Sequence, residues 1–472
     1  MTYFSTLTHD ILSEKKYLCT QVTEMTNREK KYEEMTTEPV EKLVCKFAVP
    51  AIVGMLISSI YNIADTFFVG RLDTQSTAAL GVVFSYMGII QATAFYVGHG
   101  SGNFISRCLG ARKGNEAEDM ASTGFFLAIG VATAIAVICS LFIRPVLTLF
   151  GSTPTVLPYA VSYFRWILVG TPFIVGAIVL NNQMRLQGNA GLAMYGLLSG
   201  GILNIILDPI FIFALKMGVT GAGLATAISQ AVSFCILLNL CGRRGGISIH
   251  FRNFRPSWFY AKEINAGGLP SLARQGLMAI ATALLNNLAG AYGDEALAAF
   301  SVVGRVMPIA ASLIIGFGQG FQPVCGYNFG AKLYDRLRKA LRFCITVSSC
   351  YALAVAVLGE MFAPAIISAF RNDPAVISLG AKVLRAQCLA FPLIGFVTLT
   401  NMYLQTTNQT VSAVTIAIAR HGLFLIPALA VGATFFGLDG IVAAQPVSDL
   451  LSFVLAVPLY SISVRKLSGR AS

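Results

Sequence analysis

The chain has 472 residues, of which 55% are hydrophobic and only 12% are charged. Soluble domains carry about 25% charged residues, so this composition excludes an ordinary soluble protein and indicates a polytopic membrane protein. The net charge of +12 follows alternate loops, as the positive-inside rule describes, and does not form a solvated basic face, so we expect no nucleic-acid partner.

Twelve apolar segments follow a polar N-terminal stretch. Each is about 20–30 residues long, enough to cross a hydrocarbon core of about 30 Å as a helix and far longer than barrel strands of about 10 residues. We therefore predict an all-α polytopic membrane protein with twelve transmembrane helices. The segments begin near Phe47, Ala78, Ala121, Ala160, Gly191, Gly221, Ala266, Ala296, Ala340, Ala381, Val411 and Gly440.

The second half of the chain repeats landmarks of the first half at a spacing of 220 residues. The matched pairs include Pro50 with Pro270, Pro172 with Pro392 and, after a slip of one residue, Gly218 with Gly437. Six spans per repeat is an even number, so both copies keep the same orientation in the membrane. We predict two six-helix bundles related by a parallel internal repeat, with an axis along the membrane normal.

The repeat divides the chain into two lobes. We expect a cytoplasmic tail at 1–42, an N-lobe bundle at 43–241, a cytoplasmic linker at 242–262, a C-lobe bundle at 263–465 and a cytoplasmic tail at 466–472. The first tail has no apolar core of a signal peptide and is expected to be disordered or loosely helical. The basic loops place both termini in the cytoplasm of a multi-pass inner-membrane or plasma-membrane protein.

Met35 begins a stretch that leads directly into the first span. We hypothesise that translation starts there, which mass spectrometry of the intact N-terminus in the native host tests.

Two carboxylates within spans of the first repeat have no acidic counterpart at the matching positions of the second repeat. Asp65 is about 18 residues into span 1 and Asp208 about 17 residues into span 5, so at 1.5 Å per residue both reach a depth of about 26 Å. Tyr61 lies one helical turn from Asp65, and Asn204 one turn from Asp208, on the same helix faces. Thr226 enters span 6 at a similar depth. We predict that these five side chains converge in the outer half of the membrane.

The cost of burying charge argues that these acids are functional. A charged Asp at the bilayer centre costs about 2.5–3.5 kcal/mol on insertion scales, so it persists where it faces a cavity or partners. Hydroxyl and amide neighbours can bond either protonation state, which suits a proton-coupled switch or an oxygen-lined sodium site. The structural alternative is that Asp208, which precedes Pro209, only marks a kink.

A second set of charges lies in the second repeat. Arg420 in span 11 and Asp449 in span 12 lie at roughly matching depth, and we interpret them as a structural ion pair, with a contact to substrate as the alternative. The glycine runs around Gly98 and Gly318 lie inside apolar spans and indicate close helix packing, not a nucleotide site. No P-loop, zinc spacing or nucleophilic triad is present, so we expect no ATP-driven pump and no enzyme.

Three stretches together resemble a known family. They are residues 47–50 (FAVP) leading to 61–70 (YNIADTFFVG), residues 204–213 (NIILDPIFIF) and residues 318–332 (GQGFQPVCGYNFGAK). They resemble the multidrug and toxic compound extrusion (MATE) transporters, nearest the DinF-like and MepA-like bacterial branch, and the resemblance covers residues 42–465.

The resemblance implies two bundles around a central cavity that export organic cations against entry of protons or sodium. It implies a coupling site at Tyr61, Asp65, Asn204, Asp208 and Thr226, with candidate sodium ligands at Asp65, Asp208 and Asn204. Asn182 in span 4 is a further candidate for this site, or for a substrate contact or polar network, since its depth places it nearer the cytoplasm. Some relatives carry an acid in span 7 for a sodium site in the second bundle. Here span 7 offers Gln275, Asn286 and Asn287 instead, which shifts the expected coupling to the first lobe.

We therefore expect a secondary active antiporter without a cofactor, whose coupling ion is H⁺ or Na⁺. Its partners are amphipathic cationic small molecules and membrane lipid, and we expect a monomer. A lipid-linked oligosaccharide flippase is the first alternative, favoured by Arg305 and Arg420 but opposed by the acids of the first repeat. A passive channel or scaffold is the second, opposed by Leu285 and Ala428, which stand where the repeat would place acids.

Overall fold

The computed structural model of the protein describes residues 27–471, apart from the side chains of residues 62, 63 and 468–471. The described residues are almost wholly helical and include no strand. The helices are α1 (27–37), α2 (Val40–Gly70), α3 (Thr74–Gly110), α4 (Gly114–Leu141), α5 (Ile143–Leu149), α6 (Leu157–Leu186), α7 (Ala190–Pro209), α8 (Val219–Leu240), α9 (Trp258–Gly290), α10 (Asp294–Gly330), α11 (Tyr334–Ser368), α12 (Pro374–Thr406), α13 (Thr410–Ile418) and α14 (Leu425–Ala471). Single π-helical segments follow α7 at Ile210–Ala214 and α13 at Ala419–Phe424.

Ten helical segments of the described chain are long and apolar enough to cross a membrane. One of them, Thr410–Leu467, makes two crossings, because its backbone leaves helical geometry at Gly437 and Gly432 packs against Gly440 beyond that turn. The 33-residue helix α9 is not one of the ten, but it is long enough for one more crossing and stands where the repeat places the counterpart of α2. The described chain thus has room for the twelve predicted crossings, and the predicted all-α class with two repeated bundles is confirmed.

The internal repeat is visible in the backbone as well as in the sequence. Gly218 has φ 58° and ψ −138°, and its counterpart Gly437 has φ 60° and ψ −135°. This left-handed conformation favours glycine because a Cβ atom would be strained there. In the same way, the side-chain amides of Asn181 and Asn401, which are 220 residues apart, each donate to the carbonyl twelve residues further on, at 2.9 and 2.7 Å.

The two lobes meet at the end of the molecule where α2, α4, α9 and α11 begin. We call it the basic end, after its loop cations Arg112, Lys113, Arg252, Arg255 and Lys332. There the backbones of α3 and α9, and of α3 and α10, lie in direct contact. A side chain on Gly100 would collide with the backbone of Ile264, and one on Gly110 with the backbone of Tyr327. Glycine is therefore required for this close approach.

Polar contacts reinforce the same junction. Arg107 of α3 forms an ion pair of 2.8 Å with Glu263 of α9 and donates to the Thr406 carbonyl of α12 at 3.0 Å. The Thr406 hydroxyl donates in turn to Asn103 at 3.1 Å. We refer to Arg107, Glu263 and Thr406, with the glycine contacts above, as the interlobe seal. Its ion pair is largely buried, at 12% and 19% side-chain exposure, so removing one partner is costly.

Helix α1 crosses the basic end and contacts both lobes. Arg28 pairs with Glu118 of the first lobe at 2.7 Å, and Lys31 donates to Asn189. The Met35 side chain is fully buried, and its carbonyl accepts from Asn328 of the second lobe at 3.2 Å. Residues 27–37 thus differ from the loosely ordered tail that their polarity suggested, because they pack on a surface formed by both lobes. Residues 1–26 of that tail lie outside the described residues.

The linker also differs from its expected bounds. Helix α9 begins at Trp258, four residues before the expected end of the linker at residue 262, and Ser257 caps it by accepting from the Tyr260 N–H. An N-cap serine satisfies one of the N–H groups that a helix start leaves without a partner. The connection between the lobes is shorter than predicted for this reason.

We predict that Gly100→Ala destabilises the protein, because the new methyl group overlaps the Ile264 backbone, and overpacking of this kind costs about 1–3 kcal/mol. Thermal unfolding in detergent should begin at a lower temperature than in the parent. Gly88→Ala is the matched control, since Gly88 lies in the same helix with open space around its Cβ position. Equal stability of both variants would contradict the proposed close contact.

Candidate functional site

Asp65 on α2 and Asp208 near the end of α7 come together inside the first lobe. Their exposed fractions are 7% and 0%, and their charges lie close enough to interact. The Asp65 Oδ1 and Asp208 Oδ2 atoms have no hydrogen-bond partner among the described residues. A buried polar atom without a partner is costly, most of all when charged. The pair is therefore suited to binding a proton or a small hard cation.

Amide and hydroxyl groups surround the Asp208 carboxylate. The Asn204 side-chain nitrogen lies 3.4 Å from Asp208 Oδ1 and 3.5 Å from the Thr226 hydroxyl. The Thr226 hydroxyl donates to the Ala222 carbonyl at 3.0 Å, one turn earlier in α8. Because its only proton is used there, the Thr226 oxygen is left as an acceptor. α2, α7 and α8 thus bring an oxygen-rich group of side chains to one place.

Tyr163 of α6 belongs to this group and was missed by the sequence analysis. Its hydroxyl is hydrogen-bonded to Thr226, and its ring is 4% exposed. It also lies close enough to Asp65, Asp208 and the half-buried Tyr61 for their charges to affect it. The missed signal was depth: Tyr163 is six residues from the start of α6, about 9 Å, and Asp65 lies about as far from the end of α2.

The five side chains expected to converge, Tyr61, Asp65, Asn204, Asp208 and Thr226, are thus placed around one another and around Tyr163. Asn182 is not among them. It lies on α6, 19 residues after Tyr163, which is about 28 Å along the helix. Asn182 therefore lies outside the carboxylate site, and its position fits the alternative of a polar network.

Asn182 instead belongs to a buried polar network between the lobes. Its side-chain oxygen accepts from Arg185 at 2.8 Å, and Arg185 also donates to the Gln319 carbonyl at 2.8 Å. His99 contacts Arg185 at 3.3 Å and the Ser271 hydroxyl at 2.8 Å. Because Gln319 and Ser271 lie on α10 and α9, this network ties the first lobe to the second beside the interlobe seal.

The expected ion pair of the second lobe is present. Arg420, in the π-helical segment after α13, lies with its Nε atom 2.7 Å from Asp449 Oδ1 of α14. Gln445 donates to the same oxygen at 3.1 Å. The Asp449 side chain is 3% exposed and that of Arg420 is 24% exposed. This ion pair connects α14 to the π-helical segment that precedes it.

Comparison with known proteins agrees with this architecture. The MatE family model matches residues 50–210 and again residues 270–430. The two matches are 220 residues apart, the spacing of the internal repeat. The chain belongs to the MatE family, and it is a multi-pass membrane transporter and not an enzyme.

Relatives and solved structures cover nearly the whole chain. Multidrug export protein MepA of Staphylococcus haemolyticus is 29% identical over 91% of this chain and 96% of its own length. The protein of that name from Staphylococcus aureus is 26% identical, covering 89% and 93%. A crystal structure of MATE in complex with MaL6 is similar with TM-score 0.87 at 26% identity, covering 93% of this chain and 99% of the other. An outward-facing conformation of a multidrug resistance MATE family transporter of the MOP superfamily has TM-score 0.86 at 27% identity, covering 92% and 98%.

We predict that Tyr163→Phe lowers transport several-fold, because it removes the hydroxyl that bonds Thr226 beside the carboxylates; a net hydrogen bond contributes about 1 kcal/mol. Dye efflux from proteoliposomes measures this effect. Tyr159→Phe is the control, since Tyr159 lies one turn away in the same helix with 39% of its surface exposed. Unchanged efflux in Tyr163→Phe would remove Tyr163 from the site.

Proposed function

We propose that this chain exports amphipathic organic cations in exchange for protons or sodium, and that Asp65 and Asp208 bind the coupling ion. The observation that carries the proposal is the pair of buried carboxylates in the first lobe, each with one oxygen that lacks a hydrogen-bond partner among the described residues. The multidrug export and multidrug resistance functions named for similar proteins support it.

The ion acts through the cost of buried charge. With both carboxylates ionised, like charges face each other in a poorly solvated place, and protonation or a bound cation relieves this repulsion. The ion-free and ion-bound states of the carboxylates therefore favour different packing of α2, α7 and α8, the helices that carry the site. One charge moved through 100 mV supplies about 2.3 kcal/mol, so one or two ions can drive a useful gradient of substrate.

The substrate class follows from the same charges. Acidic side chains attract a cation, and the half-buried aromatic ring of Tyr61 beside them can contact its apolar or cationic surface. Both H⁺ and Na⁺ suit carboxylate and amide oxygens, and Asp65, Asp208 and Asn204 are the residues we propose for either ion. The carboxylate site lies within one chain, so we propose that a monomer in a lipid bilayer is sufficient.

In this mechanism, the interlobe seal is the barrier that closes the basic end of the transporter. If the basic end faces the cytoplasm, as the positive-inside rule describes, both termini are cytoplasmic and the structure is closed toward the cytoplasm. Transport then requires that the Arg107–Glu263 pair and the glycine contacts separate while the opposite end closes. Movement of two packed bodies about an interface is a common form of such switching.

We predict that Asp65→Asn and Asp208→Asn each abolish ion-driven efflux, a loss of at least tenfold, because an amide cannot take up the proton or match the charge of the cation. Proteoliposomes loaded with rhodamine 123 receive a pH gradient or a sodium gradient separately, and dye movement names the ion. Asp439→Asn is the control, since Asp439 is an exposed acid paired with Lys382.

Full activity in the two Asn variants would exclude these carboxylates from coupling. Absence of movement under either gradient in the parent would contradict the proposed antiport itself.

A further inference from the structure

The second lobe contains a cavity lined by two arginines. Its volume is about 60 Å³, and its lining includes Arg274 of α9, Arg420, His421 and Asn401 of α12. A single buried water needs roughly 10–15 Å³ on a comparable measure, so this space accepts a group of several atoms. A cavity of this size that gathers cationic side chains in a membrane lobe needs an explanation beyond packing.

The charges around the cavity do not balance. Arg420 is paired with Asp449 at 2.7 Å. Arg274 makes no hydrogen bond or ion pair that we find among the described residues, and the nearby charge that affects it is the like charge of Arg420. His421 lies beside the same two arginines. The described part of the chain supplies one carboxylate for two guanidinium groups here, which leaves one positive charge without a counter-charge.

Arg274 is half-buried, and a guanidinium that is partly withdrawn from water without a partner is costly. Buried arginines in membrane segments almost always pair with an acid or a carbonyl, and they commonly mark a pathway for substrate or ion. Because no partner for Arg274 is present among residues 27–471, the cavity points to a ligand that supplies the anion. Arginine is suited to this role because its planar fork binds both oxygens of a carboxylate.

The internal repeat places the two charged sites on equivalent helices. Asp65 and Asp208 lie on α2 and α7, whose counterparts in the second repeat are α9 and α13 with its π-helical extension. Those two counterparts carry Arg274 and Arg420. The two lobes therefore carry opposite charges on equivalent helices, acids in the first lobe and bases in the second, although the positions differ, because Arg274 and Arg420 align with Gly54 and Gly200.

The cavity also lies next to the junction of the lobes. Arg274 is one helical turn from Ser271, whose hydroxyl contacts His99 of the first lobe at 2.8 Å, and the charge of Arg274 reaches His99. The arginine cavity therefore lies near a molecule held between the lobes.

We propose that the cavity formed by Arg274, Arg420 and His421 binds a carboxylate carried by the transported molecule. Arg274 supplies the free guanidinium, while Asp449 holds Arg420 in place. This inference rests on the proposed function as an exporter, because it adds a second contact for the same substrate.

A matched pair of dyes separates the carboxylate from the rest of the molecule. Rhodamine 110 carries a free carboxylate, and rhodamine 123 is its methyl ester with the same chromophore. Fluorescence anisotropy measures binding of each dye to the full chain in lipid nanodiscs, and gradient-driven efflux of rhodamine 123 is measured beside it. The variants are Arg274→Gln, Arg274→Lys and, as the control, Arg305→Gln, which removes an exposed arginine from the same lobe.

We expect Arg274→Gln to weaken rhodamine 110 binding at least tenfold while rhodamine 123 binding stays within twofold of the parent. Arg274→Lys should fall between parent and Arg274→Gln for rhodamine 110, since it keeps the charge and loses the planar fork. Arg305→Gln should change neither dye.

Equal binding of rhodamine 110 by the parent and Arg274→Gln would overturn the proposed carboxylate site. Equal loss of both dyes in Arg274→Gln and Arg274→Lys would overturn it as well and assign Arg274 a structural role. Failure of the broader proposed function has a different signature, namely no gradient-driven movement of rhodamine 123 in the parent.

Discussion

The contact of the two lobes at the basic end is the constraint on which the rest of the structure depends. Backbones from separate repeats touch there at Gly100 and Gly110, and the Arg107–Glu263 pair lies largely buried beside them. Such a contact tolerates no side chain and no missing charge partner, so it is either formed or broken. Two bundles that meet at such a contact, beside the Arg185–Gln319 bond and the contacts of α1, are suited to switching between two arrangements.

The functional role of the charged sites depends on where they lie relative to that contact. The carboxylates of Asp65 and Asp208 lie deep in the first lobe, in the half of the membrane away from the basic end, and the arginine cavity lies on the corresponding helices of the second lobe. A duplication followed by divergence of charge accounts for this arrangement. The two copies kept the backbone of the repeat, including the paired turns at Gly218 and Gly437, while their buried charges became opposite. The buried acids of the first lobe also disfavour a flippase for lipid-linked oligosaccharides, because the pyrophosphate of that substrate needs basic surroundings.

Much of the fold was predictable because periodicity and length determine it. The repeat, the twelve spans and the fold class follow from hydropathy and from glycine and proline landmarks. The meeting of Asp65 with Asp208, and of Asn204 with Thr226, followed from counting depth along helices, since residues at one level of a bundle are neighbours when their faces agree.

Other features depend on packing between segments far apart in the sequence. Tyr163 is one of 16 tyrosines, and only the position of α6 against α8 brings its hydroxyl to Thr226. For Asn182, depth along the helix and the resemblance disagreed: the resemblance suggested the carboxylate site, whereas the count along its helix placed it nearer the basic end. The position of α1 could not be predicted for a similar reason. Its polar sequence does not indicate that both lobes together form a surface that buries Met35.

The central claim is that ion binding at the carboxylates controls the seal, and the natural cysteine Cys325 offers a direct test. Cys325 lies on α10 next to Arg107 and is fully buried. We would measure its alkylation by a maleimide in proteoliposomes, resolved by peptide mass spectrometry, across a range of pH and sodium concentration. The account predicts that labelling in the parent changes severalfold with one of these ions and that the double variant Asp65→Asn, Asp208→Asn gives one constant value. Labelling that ignores both ions in the parent, or follows them equally in the double variant, would contradict it.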